Sequence, residues 1–393
     1  MSHKIFFIFF IMNILFYIDK GKFNNGAIVN FDKQYNFQKI KEYFINKGYN
    51  FVLKSENKKK FHFYDIVIIE KLDRNGLQKY NDNLKINPNQ KCIIIHLTLC
   101  GDYMPPETKN YSVCVDNIWA GIQKYHLTCP RFEKHSFQKF KNKFEIPALK
   151  YDLDMAMSKK DFYDYYNVNE NMKIVIFYDA RFDDVWLEYF RHPEHRKNKF
   201  YPYLSINRKF IENFDDIQKQ FNDLGYHILV KHHRQMNPNA FKKYDFAQEF
   251  IKKYDNISLV NDEHYTEILK YCSFSICCNL STLNHLLWIY DIKTLYIDVN
   301  DEKTSWLKCN DDNEWYKFKT DEFKDIKYKD LIYGKYYTEN FFNNIKKCVH
   351  EIEDFDVSKN VYNLKENHPI YGNTYNCNYE NYCKILEDKI STI

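Results

Sequence analysis

The chain has 393 residues, with 57 basic and 53 acidic side chains, a net charge of +4 and 45% hydrophobic residues. That length is more than one simple core holds and sets two domains as the expectation, while the near-balance of charge excludes a dedicated nucleic-acid binder. The 34 Tyr and 33 Phe are a compositional bias, so no single aromatic residue or lysine carries weight alone. The eleven cysteines form no regular framework and no zinc-like spacing, which points to a reducing, cytoplasmic setting.

Residues 5–18 read IFFIFFIMNILFYI, short of the roughly 20 apolar residues a membrane helix needs. No small-residue cleavage site follows them. The protein is expected to begin in effect near Met12, with Asn13 to Ile18 as a first strand. A helix follows over Phe37 to Asn46, its Phe37, Ile40, Tyr43 and Phe44 on one face, and Gly48 stops it. Further strands are expected at Asn50–Leu53, Tyr64–Ile69, Cys92–Leu97 and Ser112–Val115, then a helix over Ile118–Tyr125. This alternation gives a Rossmann-like first domain, 12–150. It has no GxGxxG, so a dinucleotide fingerprint is not supported. Cys129 to Tyr151 reads as an irregular, basic domain crossing.

Ser158, with Asp161 in the first turn, signals a helix start. Lys173 to Tyr178 opens the second domain, 151–340, as a strand, and the polar loop DARFDD follows it. RHPEHRKNKFYPY is expected to be an irregular insertion over a cleft. A helix from Ile206 to Leu224 ends at Gly225, and the strand Tyr226–Val230 leads into Lys231-His232-His233-Arg234. A helix over Ala240–Tyr254 precedes a short apolar run, Ile257–Val260. Next come a small helix carrying Ile268, Leu269 and Cys272, and a buried run from Phe274 to Cys278. Ser281-Thr282 opens a second apolar helix, and Thr294–Val299 is a further strand. Helices are expected at Thr338–Ile352 and Tyr379–Ile390 in a C-terminal segment, 341–393, packing back on the first domain. The fold class is therefore α/β, two Rossmann-like domains facing a cleft.

Ligands of parallel helix-covered sheets sit outside the carboxyl ends of the strands. Three such ends matter in the second domain: Asp179 to Asp184, Lys231 to Arg234, and Asn279 to Thr282. Ser281 and Thr282 at a helix start offer hydroxyls and unpaired N–H groups to a phosphate. Plain helix capping is the bland alternative. Lys231 and His233 add cationic or donor groups, and Arg181 another. In the first domain His96 ends the strand CIIIHL, where a near-neutral pKa suits a general base. A buried, backbone-bonded histidine is the equal alternative. Asp102 is the second acid–base candidate, or the group that orients His96. Asp179, Asp183 and Asp184 do not form a recognisable metal motif, and neither a metal nor another cofactor is expected.

Those residues carry a resemblance. SKKDFYDYYNVNENMKIVIFYDARFDD, YHILVKHHR and HYTEILKYCSFSICCNLSTLNHLLWIYDIKTLYID resemble the linker helix, K-x-H strand end and donor-site unit of GT-B glycosyltransferases. Over residues 158–298 the chain is most similar to CDP-glycerol glycerophosphotransferases and related capsule and surface-polysaccharide transferases. Arg234 stands where that family has proline, and DARFDD lacks its Pro-Thr. The resemblance implies donor binding by Lys231, His233, Ser281 and Thr282. It also implies transfer of a glycosyl or glycerol-phosphate group from a nucleotide-linked donor to a polysaccharide or lipid-linked acceptor. No nucleic-acid partner is expected, and peripheral contact with the inner face of the membrane is. A nucleotide-sugar 2-epimerase is the alternative enzyme, and a non-catalytic scaffold the alternative of another class.

Overall fold

A computed structural model describes residues 12–18, 37–54, 63–70, 90–96, 111–116, 142–147, 153–180, 182–185, 202–232, 246–260, 264–278, 287–288, 290–299, 329, 332–356 and 378–392. The described chain falls into two compact units. One takes the residues up to Pro147 together with the last helix, and the other runs from Leu153 to Asp356.

The first unit is a six-stranded, wholly parallel sheet in the order β2-β1-β3-β4-β5-β6. Its strands are β1 (Asn13–Ile18), β2 (Asn50–Lys54), β3 (Ile66–Glu70), β4 (Lys91–His96), β5 (Tyr111–Asp116) and β6 (Lys143–Ile146). The strand expectations held to within two residues for the first five. β6 was missed: the stretch taken as an irregular crossing supplies the sheet's last strand. Its sequence, KFEI, shows the reason. It is an edge strand with only Ile146 buried, and short charged edges lack the apolar run that marks an inner strand.

Helix α1 (Phe37–Asn46) buries Ile40 and Phe44 against Phe51 and the β1–β3 side chains, with the Phe44 and Phe51 rings stacked at 4.9 Å. Gly48 follows it at φ +89°, a left-handed stop that suits glycine. The expected helix over Ile118–Tyr125 lies outside the described residues.

The second unit is also six-stranded and parallel, in the order β12-β11-β10-β7-β8-β9. Its strands are β7 (Lys173–Ala180), β8 (Tyr226–His232), β9 (Ile257–Leu259), β10 (Cys272–Cys277), β11 (Lys293–Ile297) and β12 (Gly334–Tyr337). Counted from its own first strand, this is the dinucleotide-fold order, in which the chain winds one way through β8 and β9 and then reverses through β10, β11 and β12. β12 was also missed, again a half-exposed edge strand.

Helix α2 (Lys159–Tyr166) starts as expected: Ser158 Oγ accepts the Asp161 N–H at 3.1 Å. The loop DARFDD is shorter than expected. β7 continues through Ala180, and the single turn α3 (Phe182–Val185) buries Phe182 in the core. The long helix expected from Ile206 is two helices, α4 (Pro202–Glu212) and α5 (Phe214–Asp223), meeting at Asn213. Pro202 therefore opens a helix instead of ending an insertion, a position whose fixed φ it suits. After α5, Gly225 at φ +77° turns the chain into β8.

Helix α6 (Phe246–Ile251) ends three residues before the expected Tyr254, while residues 240–245 lie outside the described residues, and α7 (Tyr265–Tyr271) passes straight into β10. The expected helix from Thr338 divides into a 3-10 turn (Glu339–Asn343) and α8 (Ile345–Glu353).

The last helix, α9 (Tyr379–Thr392), packs back on the first unit as expected. Tyr382, Cys383, Leu386 and Ile390 enter the same core as Ile40, Phe44 and Ile146. Tyr43 donates to Glu387 at 2.7 Å, and Tyr379 donates to the carbonyl of Lys39. Helix α8 instead stays with the second unit, burying Ile345, Cys348, Val349 and Ile352 there. Among the described residues no helix is long and apolar enough to cross a membrane.

Leu386 is wholly buried in the first unit's core. Leu386→Ala is expected to cost that unit about 3 kcal/mol, in the range for a buried leucine. Native-state hydrogen exchange should show the loss across β1–β4 and leave the protection of β7, β8 and β10 unchanged.

Candidate functional site

The two faces of the second sheet differ in chemistry. Alternate residues of a strand point to opposite faces. Val175 and Phe177, Ile228 and Val230, Phe274 and Ile276, and Leu295 and Ile297 all enter one apolar core with α4, α5 and α8. The other face collects the buried polar groups His227, Lys231, Ser275, Thr294 and Asp298. Ser275 and Thr294, partners in the register of β10 and β11, share a hydrogen bond of 2.8 Å, and the Trp288 indole donates to Thr294 Oγ1 at 2.7 Å. Trp288 lies shortly before β11 in sequence, and this bond ties its side chain to the sheet.

The register places a row across this face near its carboxyl edge. Lys231 of β8 pairs with Tyr178 of β7. Cys277 of β10 lies one residue beyond the Ile276–Phe177 pair, level with Tyr178, and pairs with Tyr296 of β11. β7 and β10 are the strands at which the winding reverses, the place where open parallel sheets hold ligands. Lys231 is 6% exposed there and Asp298, just past the end of β11, is 1% exposed. Asp298 Oδ1 accepts the Val299 N–H at 2.8 Å. Burial, aided by the Asp298 carboxylate, drives the Tyr296 hydroxyl well above its ordinary pKa, so it stays a donor.

Cys278, where β10 ends, accepts a bond at its Sγ from Asn207 Nδ2 at 3.0 Å, and Tyr296 Oη reaches its carbonyl at 3.5 Å. Sequence reasoning missed Asn207. Its signal was a carboxamide inside the apolar stripe Ile206–Phe210 of α4.

Of the candidate residues, two lie in described strands. Lys231 is at the carboxyl end of β8 as expected. His96 closes β4, its backbone paired with Val115 of β5. Arg181, His233, Ser281, Thr282 and Asp102 lie outside the described residues. Among the described residues no three His, Cys, Asp or Glu side chains are grouped to hold a metal.

Lower on the same face His227 is buried. Ser258 Oγ donates to the Tyr166 carbonyl at 2.9 Å and so accepts from His227 Nε2 at 3.0 Å, which fixes the Nε2–H tautomer. Burial lowers the His227 pKa to about 4 from 6.5.

No family model matches the chain, and no curated protein sequence matches it. Among solved structures it is similar to the UDP-GlcNAc 2-epimerase of Methanocaldococcus jannaschii in complex with UDP-GlcNAc and UDP, at 9% identity and a TM-score of 0.42, covering 97% of this chain and 100% of that one. It is similar to MnaA of S. aureus with UDP at 10% identity and a TM-score of 0.36, over 73% of this chain and 79% of that one. It is similar also to the UDP-GlcNAc 2-epimerase of Neisseria meningitidis bound to UDP-GlcNAc, at 9% identity and a TM-score of 0.34, over 72% and 82%. Likeness at this level does not assign an activity.

Between pH 6.5 and 4 the unfolded chain takes up a proton that folded His227 refuses. Its contribution to stability is therefore full above pH 6.5 and is lost as pH falls toward 4. From pH 7 to pH 5 the loss is expected to be about 2 kcal/mol, at 1.36 kcal/mol per pH unit. His227→Gln, which keeps a donor toward Ser258, should remove that share of the pH dependence in urea titrations at the two pH values. The chain is α/β throughout, built of two Rossmann-like units, the second with its polar face richest where its winding reverses.

Proposed function

We propose that the chain binds a nucleotide-activated sugar or glycerol through its diphosphate, at the carboxyl edge of β7, β8 and β10, and acts on it as an enzyme. The observation that carries this reading is Lys231, a buried ammonium one strand from the reversal point. A lysine at that edge places a cationic donor where open parallel sheets hold their ligands. Arg181, His233, Ser281 and Thr282 would join it around the phosphates: each follows the end of β7, β8 or β10 by one to five residues in sequence. Hydroxyls and N–H groups at the start of a helix, with lysine and arginine, stabilise a leaving phosphate as charge develops on it.

Two reactions fit such a ligand. Transfer of the activated group to a surface-polysaccharide or glycolipid acceptor is what the likeness of residues 158–298 implies. A 2-epimerisation, which needs no acceptor, is the activity of the epimerases to which the chain is similar. His96, at the carboxyl end of β4 in the first unit, and Asp102 after it are the acid–base candidates for either.

Incubation of the full chain with CDP-, UDP-, GDP- and CMP-linked donors decides the matter. Nucleotide release that needs an acceptor marks a transferase, and conversion of a UDP-sugar without acceptor marks an epimerase. Binding without turnover marks a scaffold, and no binding to any donor removes the proposal. Lys231→Met is expected to weaken donor binding roughly 10- to 100-fold, the scale of one charge-assisted hydrogen bond. His96→Ala should bind donor normally and lose turnover, and retained turnover would remove His96 from the base role.

A further inference from the structure

We infer that β12 and α8, residues 334–353, form a strap that opens from the second sheet as one piece, with Glu353 as the clasp that closes it. Nothing in the strap depends on the nucleotide reading.

The strap leaves the sheet and returns to it at one place. At its start the Thr294 N–H donates to the Tyr333 carbonyl at 2.8 Å, and Gly334 pairs with Thr294 in the register of β11 and β12. The two backbones meet so closely that a Cβ at Gly334 would overlap the Thr294 carbonyl. Glycine alone fits that approach, and the φ of +152° suits it too. At the far end the Glu353 carbonyl accepts from Lys293 Nζ at 2.7 Å. Both ends are thereby fastened to adjacent residues at the start of β11. Between them Tyr337 donates to Glu351 at 2.5 Å, so strand and helix are also tied to each other.

The Glu353 carboxylate carries the fastening past β11 to the middle of the sheet. It accepts from Lys173 Nζ, at the start of β7, at 2.8 Å, and from the Tyr226 hydroxyl, at the start of β8. His350 Nδ1 lies 3.5 Å from its other oxygen. Burial alone would raise the Glu353 pKa, but Lys173 and Tyr226 outweigh it and hold the carboxyl below its ordinary value. The Lys173 pair is open to solvent and worth little by itself. Tyr226 is 1% exposed, so its bond to the carboxylate is sheltered from water and is the stronger tie. The strap's ion pairs to α5 and α4, Lys346 with Asp223 and Lys209 with Glu339, are likewise open to solvent. β12 is an edge strand that pairs with β11 alone, and local opening begins at such weakly held elements. Lifting the strap bares Leu295 and Ile297 of β11, which share a core with Phe341, Ile345, Val349 and Ile352.

Native-state hydrogen exchange of the full chain, read at the amides of β12 and α8, tests the strap, with β7 and β8 as internal controls. In Glu353→Gln and in Tyr226→Phe, exchange is expected to quicken about tenfold across β12 and α8 alike, while amides 174–177 and 228–230 keep their protection. Gly334→Ala, made at the opposite end, should quicken α8 as much as β12. Quickening of β12 without α8 in that variant would overturn the single strap. Unchanged α8 protection in Glu353→Gln and Tyr226→Phe would remove the clasp. Quickening shared with β7 and β8 would mark a general loss of stability and overturn both. If Gly334→Ala does not fold, Glu353→Gln read at β12 decides whether strand and helix open together, because that change lies at the end of the helix.

Discussion

Everything in the second unit depends on β7 being paired in parallel on both sides, with β8 and with β10. That double pairing puts the first strand in the middle of the sheet and forces the chain to wind outward twice, in opposite senses. Between the two windings a gap opens at the carboxyl edge that no connecting loop has to cross, which is why such edges hold ligands. The same pairing fixes the rows. Once Val175 and Phe177 face the apolar core with Ile228, Val230, Phe274 and Ile276, Tyr178, Lys231 and Cys277 must share the other face. The polar face of the sheet follows from register and alternation, and no separate device is needed to assemble it.

The inner strands were readable because their composition admits little else. KIVIFY, YHILV, FSICC and CIII are short, apolar and bounded by turn residues, as fully buried parallel strands are. The edge strands β6 and β12 were not readable, since KFEI and GKYY need only one face buried, and their pairing is decided by neighbours far away in sequence. The division of the 206–224 helix at Asn213 was hidden for another reason. The apolar spacing runs on through both pieces, Phe210 to Phe214 to Ile217, so the break leaves the pattern intact.

The candidate site was legible to a lesser degree. Lys231 could be found because its position after a strand is visible in sequence. Its burial was not visible, and burial is what separates it from the other described lysines. Asn207 was not found, because it is an ordinary residue type whose contact with Cys278 is made only in the folded core. Asn207 lies 71 residues from its partner, and spacing at that range carries no signal.

The packing of α9 on the first unit has a consequence for how the chain is made. In sequence the second unit is an insertion within the first, whose core includes Tyr382, Cys383, Leu386 and Ile390. Domains usually fold in the order in which they leave the ribosome. Here the first unit must wait with an incomplete core until α9 is synthesised, while the second unit has all its described strands beforehand. The apolar strands β1, β3 and β4 thus lack the cover of α9 until the second unit has been made, and that helix is the closing piece of a core begun before it.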